Sequence, residues 1–213
     1  MPPPQVKICG ITAEADVQAA ADAGAQLVGF NFHPASPRAL SAERAAQLAA
    51  RAPPHLLRVA LLVDAADDKI DEAIAATNPH FLQLHGSESP ARLAALKQRV
   101  MPRLIKAVSV QRREDLAHAE TWAQAADWLL LDAAPAGEGG TGQTFDWRWL
   151  ADYAPPCPWL LAGGLTADNV AEALRVTRAP MVDVASGVED APGRKSAAEI
   201  FRFVAAARKA DHA

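Results

Sequence analysis

Several short apolar runs in this chain end on a residue that can do chemistry. Val6-Lys7-Ile8 runs into Cys9, Phe81 to Leu84 into His85, and Trp128 to Leu131 into Asp132, while Arg38 lies in the loop that follows Leu27 to Phe32. Two further runs end on glycine-containing turns, Gly163-Gly164 after Pro158 to Ala162 and Ser186-Gly187 after Met181 to Ala185. A thiol and a carboxyl group are a base and an acid in waiting, an arginine is a carboxylate or phosphate holder, and glycine lets backbone N–H groups come close to an anion. Alternation along the first run turns Lys7 and Cys9 to one face and Val6 and Ile8 to the other, so an otherwise apolar strand carries a polar face. Each residue also has an ordinary structural explanation: Cys9 as a small buried hydrophobe, Arg38 as a solvated charge, His85 as a packing or capping histidine, Asp132 as a turn cap. Their shared position, each at or just beyond the end of an apolar run, is what asks for a common cause.

The elements that must position them recur with one rhythm. Apolar runs at Val6–Cys9, Leu27–Phe32, Leu57–Val63, Phe81–His85, Arg103–Val108, Trp128–Asp132, Pro158–Ala162 and Met181–Ala185 read as strands. Between them, and after the last, lie helical patterns at Thr12–Gly24, Ala42–Arg51, Asp67–Thr77, Pro90–Arg99, Gln111–Ala125, Asp146–Tyr153, Thr166–Val176 and Ser196–Lys209. Eight strand-then-helix units predict a single-domain α/β fold spanning residues 1–213, a (β/α)8 TIM barrel, whose functional groups gather at the carboxyl ends of its strands. A doubly wound open sheet is the alternative, but it would carry a glycine-rich phosphate fingerprint after the first strand, where this chain has Cys9-Gly10-Ile11-Thr12. In the barrel, the glycine-containing turns after strands seven and eight fall where such barrels hold phosphate. The connection Ala133 to Thr144, with Gly139, Gly140, Thr141 and Gly142, is long for a strand-to-helix loop and is a candidate lid.

Composition narrows the function. With 213 residues, half of them apolar, and a net charge of -4, the chain can bury one sizeable core and has no basic patch for nucleic acid. No apolar run approaches the roughly 20 residues of a membrane span, and Met1-Pro2-Pro3-Pro4 does not open a secretion signal, so a cytoplasmic protein with no membrane partner is expected. In a parallel barrel Cys9 and Cys157 lie at opposite ends, and no disulfide between them is expected.

Taken in order, the motifs resemble the phosphoribosylanthranilate isomerase family. The resemblance is carried by Val6-Lys7-Ile8-Cys9-Gly10-Ile11-Thr12, by Gly29-Phe30 with Phe32 and Ser36-Pro37-Arg38, and by Gln83-Leu84-His85-Gly86. It continues through Asp132 with Gly139-Gly140-Thr141-Gly142 and Phe145-Asp146-Trp147, Ala162-Gly163-Gly164-Leu165, and Val182 to Glu189 with its trailing Pro192-Gly193-Arg194-Lys195. It implies a cofactor-free, metal-free aldose–ketose isomerase acting on a small phosphorylated substrate in tryptophan biosynthesis, as a monomer or homodimer. By the same resemblance Cys9 is the base and Asp132 the acid, and Arg38 holds the anthranilate carboxylate. Gly163, Gly164, Ser186 and Gly187 hold the phosphate, and His85 and Asp183 orient the sugar. A neutral carboxylic acid beside a thiolate is uphill by roughly 6 kcal/mol at the reference pKa values, so the site must supply the difference; Lys7, on the Cys9 face, is expected to favour the thiolate. Indole-glycerol-phosphate synthase, a relative with lysine and glutamate as its catalytic groups, fits Cys9 and Asp132 poorly. A non-catalytic phosphometabolite-binding protein would bind without turnover.

Overall fold

The computed structural model describes residues 3–132 and 146–210. Among them, eight parallel strands close a barrel in sequence order, β8 pairing back onto β1. The strands are β1 (Gln5–Cys9), β2 (Leu27–Asn31), β3 (Leu57–Leu62), β4 (Phe81–Leu84), β5 (Arg103–Ser109), β6 (Trp128–Asp132), β7 (Trp159–Ala162) and β8 (Met181–Val184). Helices α1 (Glu14–Ala23), α2 (Ala42–Arg51), α3 (Asp67–Thr77), α4 (Pro90–Arg99), α5 (Asp115–Ala123), α6 (Val170–Thr177) and α7 (Ala197–Lys209) cover the outside. The expected fold class is the observed one.

Period-two alternation builds the two sides of the wall. Leu27, Val59, Phe81, Ile105, Leu130, Leu160 and Met181 turn inward and fill the barrel, while Val6, Ile8, Val28, Phe30 and Leu82 turn outward against the helices. Each such side chain, taken fully out of water, contributes about 1.5–3 kcal/mol relative to exposure. Near the amino-terminal ends of β4 and β6, Phe81 meets Trp128 edge-on at 5.5 Å, and Arg103 lies 5.7 Å over the Phe81 ring. The apolar fill occupies the lower barrel, and the polar inward positions fall nearer the carboxyl ends.

Three elements differ from expectation, two of them through a local side-chain bond. The helix foreseen from Gln111 begins at Asp115, whose Oδ2 accepts from the backbone N–H groups of Gln111 (2.8 Å) and Arg112 (3.1 Å) and holds those residues in a turn. The helix foreseen from Thr166 begins at Val170, because Asn169 bridges Thr166 N and Gly164 O at 2.8 and 2.9 Å. The segment Asp146–Tyr153 forms a single 3₁₀ turn, Trp147–Leu150, rather than an α-helix. Asp146 caps it by accepting from Arg148 N, but Pro155-Pro156 follows too soon for further turns to form. An element absent from the expectation, the antiparallel hairpin β9 (Glu189–Ala191) and β10 (Arg194–Lys195), follows β8. The expected lid residues Gly139, Gly140, Thr141 and Gly142 lie outside the described residues. Among those described, no helix is long and apolar enough to cross a membrane.

Candidate active site

On β1, Lys7 and Cys9 point into the barrel, as alternation requires. Register sets Lys7 beside Asp183 of β8, and Lys7 Nζ donates to Asp183 Oδ1 at 2.9 Å with the two side chains 0% and 8% exposed. Burial pulls the Lys7 ammonium down, but the charges of Asp183 and Cys9 and their hydrogen bonds outweigh it and hold the group above its ordinary value. For Cys9 the balance runs the other way. Burial pushes the thiol up; Lys7 opposes this, Asp183 adds to it, and the net displacement is upward. Lys7 therefore does act in the expected direction but does not make a resting thiolate, because Asp183 answers its charge and the thiol is buried.

Removing Lys7 is expected to cost stability before anything else. Lys7→Met leaves the Asp183 carboxylate buried without its cation, which costs about 3–5 kcal/mol, whereas Lys7→Met/Asp183→Asn should recover much of it. Urea midpoints at neutral pH give the comparison, and a single variant within about 1 kcal/mol of wild type would mean that water solvates the pair.

Above this layer a cavity of about 880 Å³ opens at the carboxyl ends of the strands. Cys9, Arg38, His85, Asp132, Gly163, Gly164, Asp183, Ser186 and Gly187 all line it, so the structure brings together every described residue singled out from the sequence. His85 Nε2 stands 3.3 Å from Asp132 Oδ2. On its other side His85 Nδ1 meets Gln83 Nε2 at 2.9 Å, so the fully buried Gln83 amide fixes the ring plane. Gly163 and Gly164 adopt φ of 87° and 61°, a left-handed pair that side chains resist, and this folds the end of β7 sharply over the cavity. Gly187 packs against the Leu165 carbonyl so closely that a Cβ has no room, which locks the β7 and β8 loops together. Cys157 is a half-buried free thiol just before β7, away from Cys9 at the other end of β1, and the two are not bonded.

Sequence reasoning did not single out Glu189 and Lys195. Glu189 Oε1 and Oε2 accept from Arg38 Nε and Nη2, both at 2.7 Å. Lys195 Nζ donates to the same Oε1 at 2.7 Å and to Ala185 O at 2.9 Å. The available signal was an acid and a base on either side of Pro192-Gly193, a hairpin turn that could fold them together. Burial pushes the Glu189 carboxyl up, but its bonds to Arg38 and Lys195 and their charges overcome this and hold it below the ordinary range.

A buried thiol, a carboxylate next to a histidine, a guanidinium and two glycine turns around one cavity suit acid–base chemistry on an anionic ligand. Residues 6–206 match the family described as N-(5'phosphoribosyl)anthranilate (PRA) isomerase. A relative from Parvibaculum lavamentivorans named N-(5'-phosphoribosyl)anthranilate isomerase is 46% identical over 212 residues, 97% of this chain and 99% of that one. The crystal structure of phosphoribosyl anthranilate isomerase from Thermotoga maritima superposes with a TM-score of 0.90 at 35% identity, covering 97% of this chain and 99% of that one. A second isomerase structure, in complex with reduced 1-(o-carboxyphenylamino)-1-deoxyribulose 5-phosphate, gives a TM-score of 0.86 at 34% identity, with 97% and 99% covered. With sequence, fold and the ordered motifs agreeing from the first strand to the last helix, the chain belongs to the N-(5'-phosphoribosyl)anthranilate isomerase family.

Proposed function

We propose that this isomerase converts N-(5-phosphoribosyl)anthranilate to 1-(2-carboxyphenylamino)-1-deoxyribulose 5-phosphate, a step of tryptophan biosynthesis, with Asp132 as general acid and Cys9 as general base. The supporting observation is that Cys9, Asp132, Arg38 and the two glycine turns line one cavity at the carboxyl ends of the strands. Asp132 gives a proton to the furanose ring oxygen, the C1–O bond breaks, and the anilino nitrogen lone pair closes a C1=N iminium. Cys9 as thiolate then takes the C2 proton, and the C–H electrons form C1=C2 while the iminium electrons return to nitrogen. The resulting enolamine loses the O2 proton and gains one at C1, which yields the ketone and completes the proton balance.

Binding groups surround this axis. Gly163-Gly164 and Ser186-Gly187 line the cavity just after β7 and β8, the position such barrels use for phosphate, and suit that group. His85 and Asp183 line the cavity beside Asp132 and Cys9 respectively and suit the sugar hydroxyls. Arg38 suits the anthranilate carboxylate through a charge-assisted bidentate contact. A free phosphorylated metabolite does not cross membranes unaided, which supports a cytoplasmic enzyme.

The direct test is consumption of phosphoribosylanthranilate fluorescence by the purified protein; ligand binding without turnover would leave only a binding protein. Within that assay Arg38→Met should raise KM about tenfold to hundredfold with a smaller fall in kcat. The contact is made in both ground and transition states and is worth about 1.5–3 kcal/mol. An unchanged KM would take the carboxylate away from Arg38.

A further inference from the structure

The guanidinium of Arg38 has two edges that can each grip a carboxylate, the side edge formed by Nε and Nη2 and the end formed by Nη1 and Nη2. Glu189 holds the side edge with two bonds of 2.7 Å. Nη2 gives one N–H to Glu189 and has a second that points to the end edge, Nη1 makes no hydrogen bond among the described residues, and Arg38 lines the cavity. Glu189 itself has nothing to offer a ligand. Its Oε1 also accepts from Lys195 Nζ at 2.7 Å and its Oε2 from Gly193 N at 3.3 Å, which uses all four acceptor positions.

We propose that Glu189 is a positioning residue for carboxylate recognition: by occupying the side edge of Arg38 it sets the guanidinium plane and leaves the end edge for the substrate's benzoate carboxylate. The proposal rests on the reading that Arg38 binds that carboxylate. Its rigidity comes from the β9–β10 hairpin. The Glu189 and Lys195 side chains are 4% and 0% exposed against 16% for Arg38. The hairpin turn is tied to the β1–α1 loop by Thr12 Oγ1, which donates to Gly193 O at 2.7 Å. The Arg38 backbone is fixed separately, its N–H donating to Ser36 Oγ at 3.1 Å. Both ends of the ion pair are thus anchored to different loops of the barrel mouth, and the fork between them fixes the remaining angle.

Glu189 also sets the charge around the thiol. The groups that act on Cys9 are Lys7 on its own strand, Asp183 of β8, Lys195 of β10 and Arg38 of the β2–α2 loop, with Glu189 bonded to the last two. Three cations and two anions leave one excess positive charge, and removing Glu189 leaves two.

The experiment measures binding of the reduced product analogue and of its counterpart lacking the benzoate carboxylate, together with iodoacetamide labelling of Cys9 in a Cys157→Ala background. In Glu189→Gln, affinity for the carboxylated analogue should fall about tenfold to hundredfold, with the decarboxylated one unchanged. Cys9 labelling at a fixed pH below its midpoint should rise about tenfold as the extra positive charge favours thiolate. In an Arg38→Met background the same substitution should not alter carboxylate discrimination further. Glu189→Gln strands the buried Lys195 cation and can fail to fold, so Glu189→Gln/Lys195→Met restores the charge sum: labelling should return to the wild-type rate while discrimination stays lost. Equal weakening of both analogues, or a charge-balanced variant that discriminates like wild type, overturns the proposal and leaves Arg38's role intact. A wild-type protein that binds both analogues alike removes the Arg38 reading, and the proposal with it.

Discussion

Cys9→Ala is expected to lower kcat by about 10²-fold to 10⁴-fold, with KM changed only a few-fold, because the substitution removes a proton acceptor and leaves the binding groups in place. The thiol stands one row above the buried Lys7–Asp183 pair at the end of β1, where burial raises its pKa. A base that must first lose a proton becomes active as pH rises through its own pKa. Since that pKa is displaced upward, the rising limb of kcat/KM should lie on the alkaline side of an ordinary thiol's. Glu189→Gln should move the limb toward lower pH and Lys7→Met should move it further up, where that variant is folded. Serine at position 9 should rescue poorly, since a hydroxyl ionises far less readily than a thiol. Near-normal kcat in Cys9→Ala, measured by phosphoribosylanthranilate fluorescence, would exclude the thiol as the base.

The second large effect is expected at Asp132. Asparagine keeps the shape of the side chain and a hydrogen-bond donor but has no proton to give, so Asp132→Asn should lose at least about 10² in kcat. Its position at the end of β6, 3.3 Å from His85 Nε2 and lining the cavity, makes it accessible to a ring oxygen. Binding of the reduced product analogue should stay within a few-fold of wild type. If analogue affinity and turnover fell by the same factor, Asp132 would be an anchor for the site's shape, and the acid would have to be another group on the rim.

The barrel was legible because strand parity and helix periodicity are properties of neighbours in the chain. Lys7 and Cys9 had to share a face, Asp132 had to end a strand, and the glycines after β7 and β8 had to open turns, whatever the rest of the molecule did. The same local logic misplaced the starts of α5 and α6 by a few residues. Asp115 and Asn169 bind the backbone N–H groups of the residues before them and hold those in turns, and whether a side chain does so depends on its geometry as much as on residue type. At Trp147–Leu150 it overreached, since one 3₁₀ turn was all that the segment before Pro155 formed.

The ionic architecture of the mouth required the closed fold. Lys7 and Asp183 are 176 positions apart and Arg38 and Glu189 are 151, so nothing in a local window couples them. Closing the barrel brings β8 against β1, and the hairpin after β8 then lies against the loop after β2. Only that arrangement decides that Lys7 is spent on Asp183, that Cys9 rests as a buried thiol, and that Arg38 has one edge occupied. Residue types along the chain told which groups could exchange protons or hold anions. Burial and long-range pairing decided their charge states, because desolvation and Coulomb energies depend on distances that exist only in the folded chain.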